Sequence, residues 1–125
     1  MKIKEVSEKY GISHDTLRYY EKIGVIPKVK RKSGVRDYSE DDLRWIELAM
    51  CLRKSGLPLE VLVEYRTLFV RGKDTISQRY QLLREQREAL VEQKHQIEET
   101  IDRLDYKIKG YEKAMKTGKI PWEEE

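Results

Sequence analysis

Apolar residues recur with a changing period along this chain, and each period predicts a different element. Ile3 and Val6 stand one turn apart and predict a first helix over about residues 3–9. Tyr10-Gly11-Ile12 breaks it, since glycine enters the left-handed conformation that a tight inter-helix turn needs. Ser13 is placed to cap a second helix running to about Ile23, where Gly24 and Pro27 end it. At about 100° per residue, Leu17 and Tyr20 point inward together, and Asp15, Arg18, Tyr19 and Lys22 group on the opposite side. Helix, glycine turn and helix make a helix-turn-helix. Many small helical domains share that pattern, so spacing alone leaves DNA binding open.

The segment from Lys28 to Tyr38 reads as a short basic hairpin turning at Lys32-Ser33-Gly34. Beside a helix-turn-helix, such a hairpin is a wing. Ser39 opens a third helix with a capping box to Asp42, and Glu40, Asp41 and Asp42 suit the positive end of its dipole. This helix runs to about Lys54 and stops at Ser55-Gly56. Pro58, tolerated at a first helical position, begins a fourth helix to about Val70, with Val61, Leu62, Tyr65, Leu68 and Phe69 as its apolar stripe. Arg71-Gly72-Lys73 is the expected linker.

From residue 75 onward the period becomes that of a coiled coil. Ile76, Tyr80, Leu83, Arg87, Leu90, Lys94, Ile97, Ile101, Leu104, Ile108, Tyr111 and Met115 follow an unbroken four-three spacing. At ~1.5 Å per residue this seam is ~60 Å long. Only Arg87 and Lys94 among these positions are neither apolar nor tyrosine. One small head cannot cover such a seam, so a second copy is expected. The reading is thus a mainly all-α chain: a winged helix-turn-helix head over 1–72, a dimerisation helix over 73–116, and a partly disordered tail over 117–125.

Composition agrees with a small core carrying a long solvated helix, because charged residues make up 39% and hydrophobic ones 38%. Net charge is only +3, but its distribution is uneven. Residues 1–38 hold 10 Lys/Arg against 5 Asp/Glu, and the rest of the chain is slightly acidic. A basic first third is the footprint of a surface that meets phosphates. The single cysteine, Cys51, excludes an internal disulfide, and no apolar run approaches the ~18 residues that span a bilayer. A cytoplasmic protein without a membrane partner is expected. No nucleophile–base pair, phosphate loop or metal constellation is evident, so neither enzymatic activity nor a cofactor is expected. An adaptor whose basic head binds a protein is the alternative from another class.

An arginine on the outer face of the second helix can present its planar fork to guanine in the major groove. Arg18 is so placed, Tyr19 can offer an edge to a base or sugar, and the Tyr20 hydroxyl can reach a phosphate from an inward-packed ring. Lys22, Lys28 and Lys30 suit phosphate attraction. A solvated helix face is the plain alternative for Arg18 and Lys22, and a core aromatic for Tyr20.

The block from Thr16 through Leu17-Arg18-Tyr19-Tyr20-Glu21 to Gly24 and Pro27, followed by Gly34-Val35-Arg36-Asp37-Tyr38-Ser39, resembles the N-terminal signature of the MerR family of bacterial regulators. The resemblance runs over about residues 1–70. It implies homodimers with an antiparallel dimerisation helix, built here on Ile76, Tyr80, Leu83, Leu90, Ile97, Ile101, Leu104, Ile108 and Tyr111. It also implies binding to a pseudo-palindrome in a double-stranded promoter whose elements are spaced too far apart for RNA polymerase. An effector then makes the dimer distort that DNA. By the same resemblance Arg18, Tyr19 and Tyr20 are recognition-helix contacts, with Thr16 at the head of the block, and Arg36 and Tyr38 are wing contacts.

Thiolate metal sites need more than one sulfur, and neither His14 nor His95 is placed to complete one, so no metal is expected. Cys51 resembles the lone cysteine of the branch that responds to aldehydes, other electrophiles or nitrosative stress. Its sequence neighbours Leu48, Ala49, Met50 and Leu52 equally suit a buried core thiol, and a small hydrophobic ligand beside Tyr65, Leu68 and Phe69 is a third option.

Overall fold

The computed structural model describes residues 1–122. Its order is α1 (Ile3–Tyr10), α2 (His14–Ile23), β1 (Arg31–Lys32), β2 (Val35–Arg36), α3 (Glu40–Lys54), α4 (Leu59–Arg71), a 3-10 turn (Lys73–Thr75) and α5 (Ile76–Thr117). Two units emerge, Met1–Gln86 and the segment from Arg87 onward, so the start of α5 belongs with the head.

Local chemistry sets the ends of these helices. The Ser13 hydroxyl accepts from the Thr16 N–H at 3.1 Å and caps α2. Ser39 and Asp42 exchange hydrogen bonds of 3.1 and 2.9 Å at the start of α3, forming the expected capping box. Pro58 lies one place earlier than expected. It flanks α4 with extended backbone, and the helix begins at Leu59. The expected linker after α4 tightens into the 3-10 turn, where the buried Thr75 hydroxyl donates to the carbonyls of Leu68 and Gly72.

Val6, Leu17, Tyr20, Val25, Ile26, Val29, Tyr38, Ile46, Ala49 and Leu62 form the core of the head. All four helices of the head contribute to it, as do the stretches on either side of the wing, while the wing strands themselves contribute none. The wing is smaller than the hairpin read from sequence: two antiparallel strands of two residues, pairing Arg31 with Arg36 and Lys32 with Val35. Ser33 at φ 53° and Gly34 at φ 80° make the two-residue connection, both left-handed as the right-handed twist of a tight hairpin demands.

Phe69 departs from the expected stripe. It is half exposed, resting edge-on against Trp45 at 5.1 Å and under the Arg79 guanidinium at 5.3 Å. From α4, Leu62 enters the core with Leu59 and Val63 packed against it, and Leu68 is buried apart from that cluster.

Along α5 the seam lies uncovered in the single chain. Ile76, Tyr80, Leu83, Ile97, Ile101, Leu104, Ile108, Tyr111 and Met115 are all exposed. The tail differs from expectation as far as it is described. Ile120–Trp122 turns back so that the Trp122 ring covers Gly110, stands near-perpendicular to Tyr111 at 5.5 Å and takes the Lys107 ammonium over its face at 4.0 Å. A Cβ at position 110 would overlap that ring. The last residues of the tail, 123–125, lie outside the described residues.

Candidate nucleic-acid interface

Leu17, fully buried, and Tyr20, 9% exposed, anchor α2 to the core, so the rest of its circumference must face outward. Asp15, Arg18, Tyr19 and Lys22 are all exposed there, as their spacing predicts. Arg18 Nη1 reaches Asp15 Oδ1 at 3.3 Å, one turn back on the same helix. Exposed pairs of this sort contribute little, on the order of 0.5 kcal/mol, so this one holds Arg18 without committing it. Thr16 is more constrained. Its hydroxyl accepts from Ser13 at 2.8 Å and its N–H serves the cap, so it orders the helix start.

Lys28 and Lys30 are exposed on either side of the buried Val29, which pins the strand entering the wing. At the wing tip, Arg31 Nη1 donates to the Gly34 carbonyl at 2.9 Å and closes the turn. Arg36 is only partly exposed. Its Nε donates to Glu21 Oε1 of α2 at 2.8 Å, linking wing and second helix. Glu21 stands in the signature block, yet the sequence reading assigned it no part. An acid held within a strongly basic head was the available signal.

Tyr38 sits at the base of the wing with its ring in the core, 3% exposed. Its hydroxyl is sealed from solvent and has no hydrogen-bond partner among the described residues. Burial pushes its pKa above the ordinary tyrosine value, with nearby Arg36 acting in the opposite sense. The expected wing contact therefore supports the wing from beneath in this conformation, and the displayed groups are Arg36 and the lysines.

Cys51 is exposed, which removes the core reading. It lies in the last turn of α3, where its carbonyl accepts from the Ser55 hydroxyl at 3.3 Å. Of its near neighbours in sequence, Arg53 donates from Nη1 to the Leu57 carbonyl at 2.8 Å. Close to the α3–α4 face, Trp45, Tyr65 and Phe69 cluster, with Arg66 over the Trp45 ring at 5.4 Å. Among the described residues no three or more His, Cys, Asp or Glu side chains gather into a metal site. Nor is any described helix long and apolar enough to cross a membrane.

Comparison with known proteins bears on this arrangement. The chain matches the MerR HTH family of regulatory proteins over residues 1–67. It is 48% identical over 93 residues to the HTH-type transcriptional regulator AdhR of Bacillus subtilis (strain 168), covering 74% of this chain. That alignment spans 66% of AdhR, just under two thirds of its length. An HTH-type transcriptional regulator from Haemophilus influenzae is 34% identical, with 93% of this chain and 87% of that protein aligned. Among solved structures, a MerR family transcriptional regulator from Listeria monocytogenes superposes with a TM-score of 0.89 at 43% identity, covering 94% of this chain and 90% of that one. HiNmlR, described as a MerR family regulator lacking the sensor domain and bound to promoter DNA, superposes with a TM-score of 0.81 at 33% identity, covering 95% of each chain.

Proposed function

This chain belongs to the MerR family of helix-turn-helix transcription regulators, and we propose that it binds a pseudo-palindromic promoter operator as a homodimer and switches transcription by distorting the DNA there. The observation that carries this reading is the outward face of α2. It displays Arg18, Tyr19 and Lys22 beside a wing bearing Lys28, Lys30 and Arg36. Arg18 reads a base edge, and the lysines and Arg36 grip phosphates.

The homodimer rests on the α5 seam. Half-exposed isoleucines and leucines over ten turns are a face that water penalises until a second copy covers it. The two cations in the seam also favour one sense of pairing. Arg87 and Lys94 occupy equivalent heptad positions, and in a parallel, in-register pair each would meet its own copy across the interface. Antiparallel pairing about the middle of the seam sets Arg87 opposite Leu104 and Lys94 opposite Ile97 instead, and Lys94 has Glu98 of its own helix at 4.0 Å. The two heads of one dimer read two half-sites. RNA polymerase is the partner at that promoter, engaging once bending and untwisting align its elements.

For the signal, the exposed Cys51 thiol is the reactive group. With an aldehyde, its sulfur adds to the carbonyl carbon, the π pair passes to oxygen, and the thiol proton ends there as a hemithioacetal hydroxyl. The adduct biases the head between DNA-bound states.

The test is binding to a duplex from the region upstream of the regulator's own gene, followed across salt concentrations. Affinity is expected to fall steeply with salt. Arg18→Ala should relax base preference, and Lys28→Ala should weaken all duplexes alike. A chain indifferent to both substitutions is not reading DNA through this face, and the protein-binding adaptor becomes the better account.

A further inference from the structure

A carboxylate on a surface that meets a polyanion works against binding by repulsion, so its presence there calls for a reason. Glu21 is such a group. It lies on α2 three residues beyond Arg18, only 12% exposed, with Oε1 2.8 Å from Nε of Arg36. The pair joins residues fifteen apart and ties the recognition helix to β2. Arg36, Glu21 and Arg18 all lie near enough to act on the buried Tyr38 hydroxyl, so the pair sits where wing, recognition helix and core meet.

The geometry divides the guanidinium usefully. Binding through Nε leaves the four N–H donors of the terminal fork unspent by that bond, and the side chain keeps 23% exposure. A fork held from behind can meet a phosphate bidentately with little further loss of rotamer freedom. The two-residue strands cannot hold the wing rigidly by themselves, since only two residue pairs join them.

We propose that Glu21 is a positioning residue for backbone recognition by the wing: it touches no DNA, and it fixes the Arg36 fork and the pose of the wing relative to α2. This rests on the DNA-binding reading above.

A double-mutant cycle on the full chain tests it, using fluorescence anisotropy with the upstream duplex at several salt concentrations. Arg36→Ala and Glu21→Ala are each expected to weaken binding about tenfold and to lower the log–log salt slope by about one. The double variant should bind no more weakly than Arg36→Ala alone. Glu21→Gln keeps an acceptor for Nε and should restore binding to within about threefold of the original chain. Losses that multiply to about a hundredfold, or tighter binding by Glu21→Ala, overturn the proposal, the latter because it makes Glu21 a simple electrostatic brake. Should Glu21→Ala not fold, the cycle runs with Glu21→Gln, whose smaller loss must vanish in the Arg36→Ala background; a loss that persists overturns the proposal. An original chain that fails to retain the duplex sinks the DNA-binding reading itself, which is distinct from multiplying losses in a chain that binds.

Discussion

Tyr38 and Tyr10 show two fates of a hydroxyl in the same small head. The Tyr38 oxygen is buried with no hydrogen-bond partner among the described residues. An unpaired buried hydroxyl costs folding about 1–3 kcal/mol, so Tyr38→Phe should leave stability unchanged or raise it. A urea midpoint that falls by more than the equivalent of ~1 kcal/mol would reveal a partner and refute this. Tyr10 instead donates to Glu47 Oε1 at 2.7 Å, tying α1 to α3. Desolvation, then that hydrogen bond and the Glu47 charge, push its pKa up to about 12 from 10.0. A pKa raised on folding means that the bond contributes fully below the unfolded value of about 10 and loses its contribution as pH rises through about 12. Absorbance titration of the phenolate should show Tyr10 ionising late, and Glu47→Gln should bring it earlier. An unmoved titration curve would remove Glu47 from the cause. Cys51→Ser should keep operator binding yet lose the transcriptional response to formaldehyde or methylglyoxal, and a fully responsive serine variant removes the thiol from the mechanism.

Single elements depend on a few capping and turn residues. Removing the Ser39 hydroxyl strips α3 of its cap, and Ser39→Ala should cost about 1 kcal/mol in denaturant unfolding. A change near zero would mean that Asp42 alone satisfies the helix start. Gly110 presents opposing effects. Alanine there favours an isolated helix by about 1 kcal/mol, but its methyl would occupy the space of the Trp122 ring. Gly110→Ala in a Trp45→Phe background should therefore expose Trp122, seen as red-shifted emission and stronger quenching by acrylamide. Unchanged emission would mean that the ring does not rest there. The caps were legible because they are strictly local: Ser13, Ser39 and Asp42 act on backbone groups within three residues. The Trp122 contact was not, because it depends on how the chain reverses after Thr117, which no periodic pattern encodes.

For the whole molecule, the decisive quantity is the apolar face that one chain leaves open. Placing a charge mid-seam, as in Ile101→Glu, should convert dimers to monomers in sedimentation while the head stays folded. Operator affinity should fall with it, because two linked half-sites become two weak ones. A variant that still sediments as a dimer would place the interface elsewhere.

The exposure of Cys51 lies between what was and was not readable. Its sequence neighbours are apolar, but at about 100° per residue it falls roughly opposite Ile46 and Ala49, the buried apolar positions of α3. The periodicity held that answer, and local composition obscured it. Tyr38 and Phe69 were beyond reach for a different reason. Tyr38 lies beyond β2, where no strand alternation says which face meets the core, and the wheel of α4 does not say how far α3 extends to cover Phe69.

The order of helices, their caps, the basic head, the signature around Arg18-Tyr19-Tyr20 and the heptad seam could all be read along the chain. Each of these is written in short-range spacing or local charge. That Tyr38 lies beneath the wing and that Glu21 holds Arg36 emerged from the folded chain alone. Those facts depend on packing between segments far apart in the chain, where geometry in three dimensions rather than periodicity sets what each side chain meets.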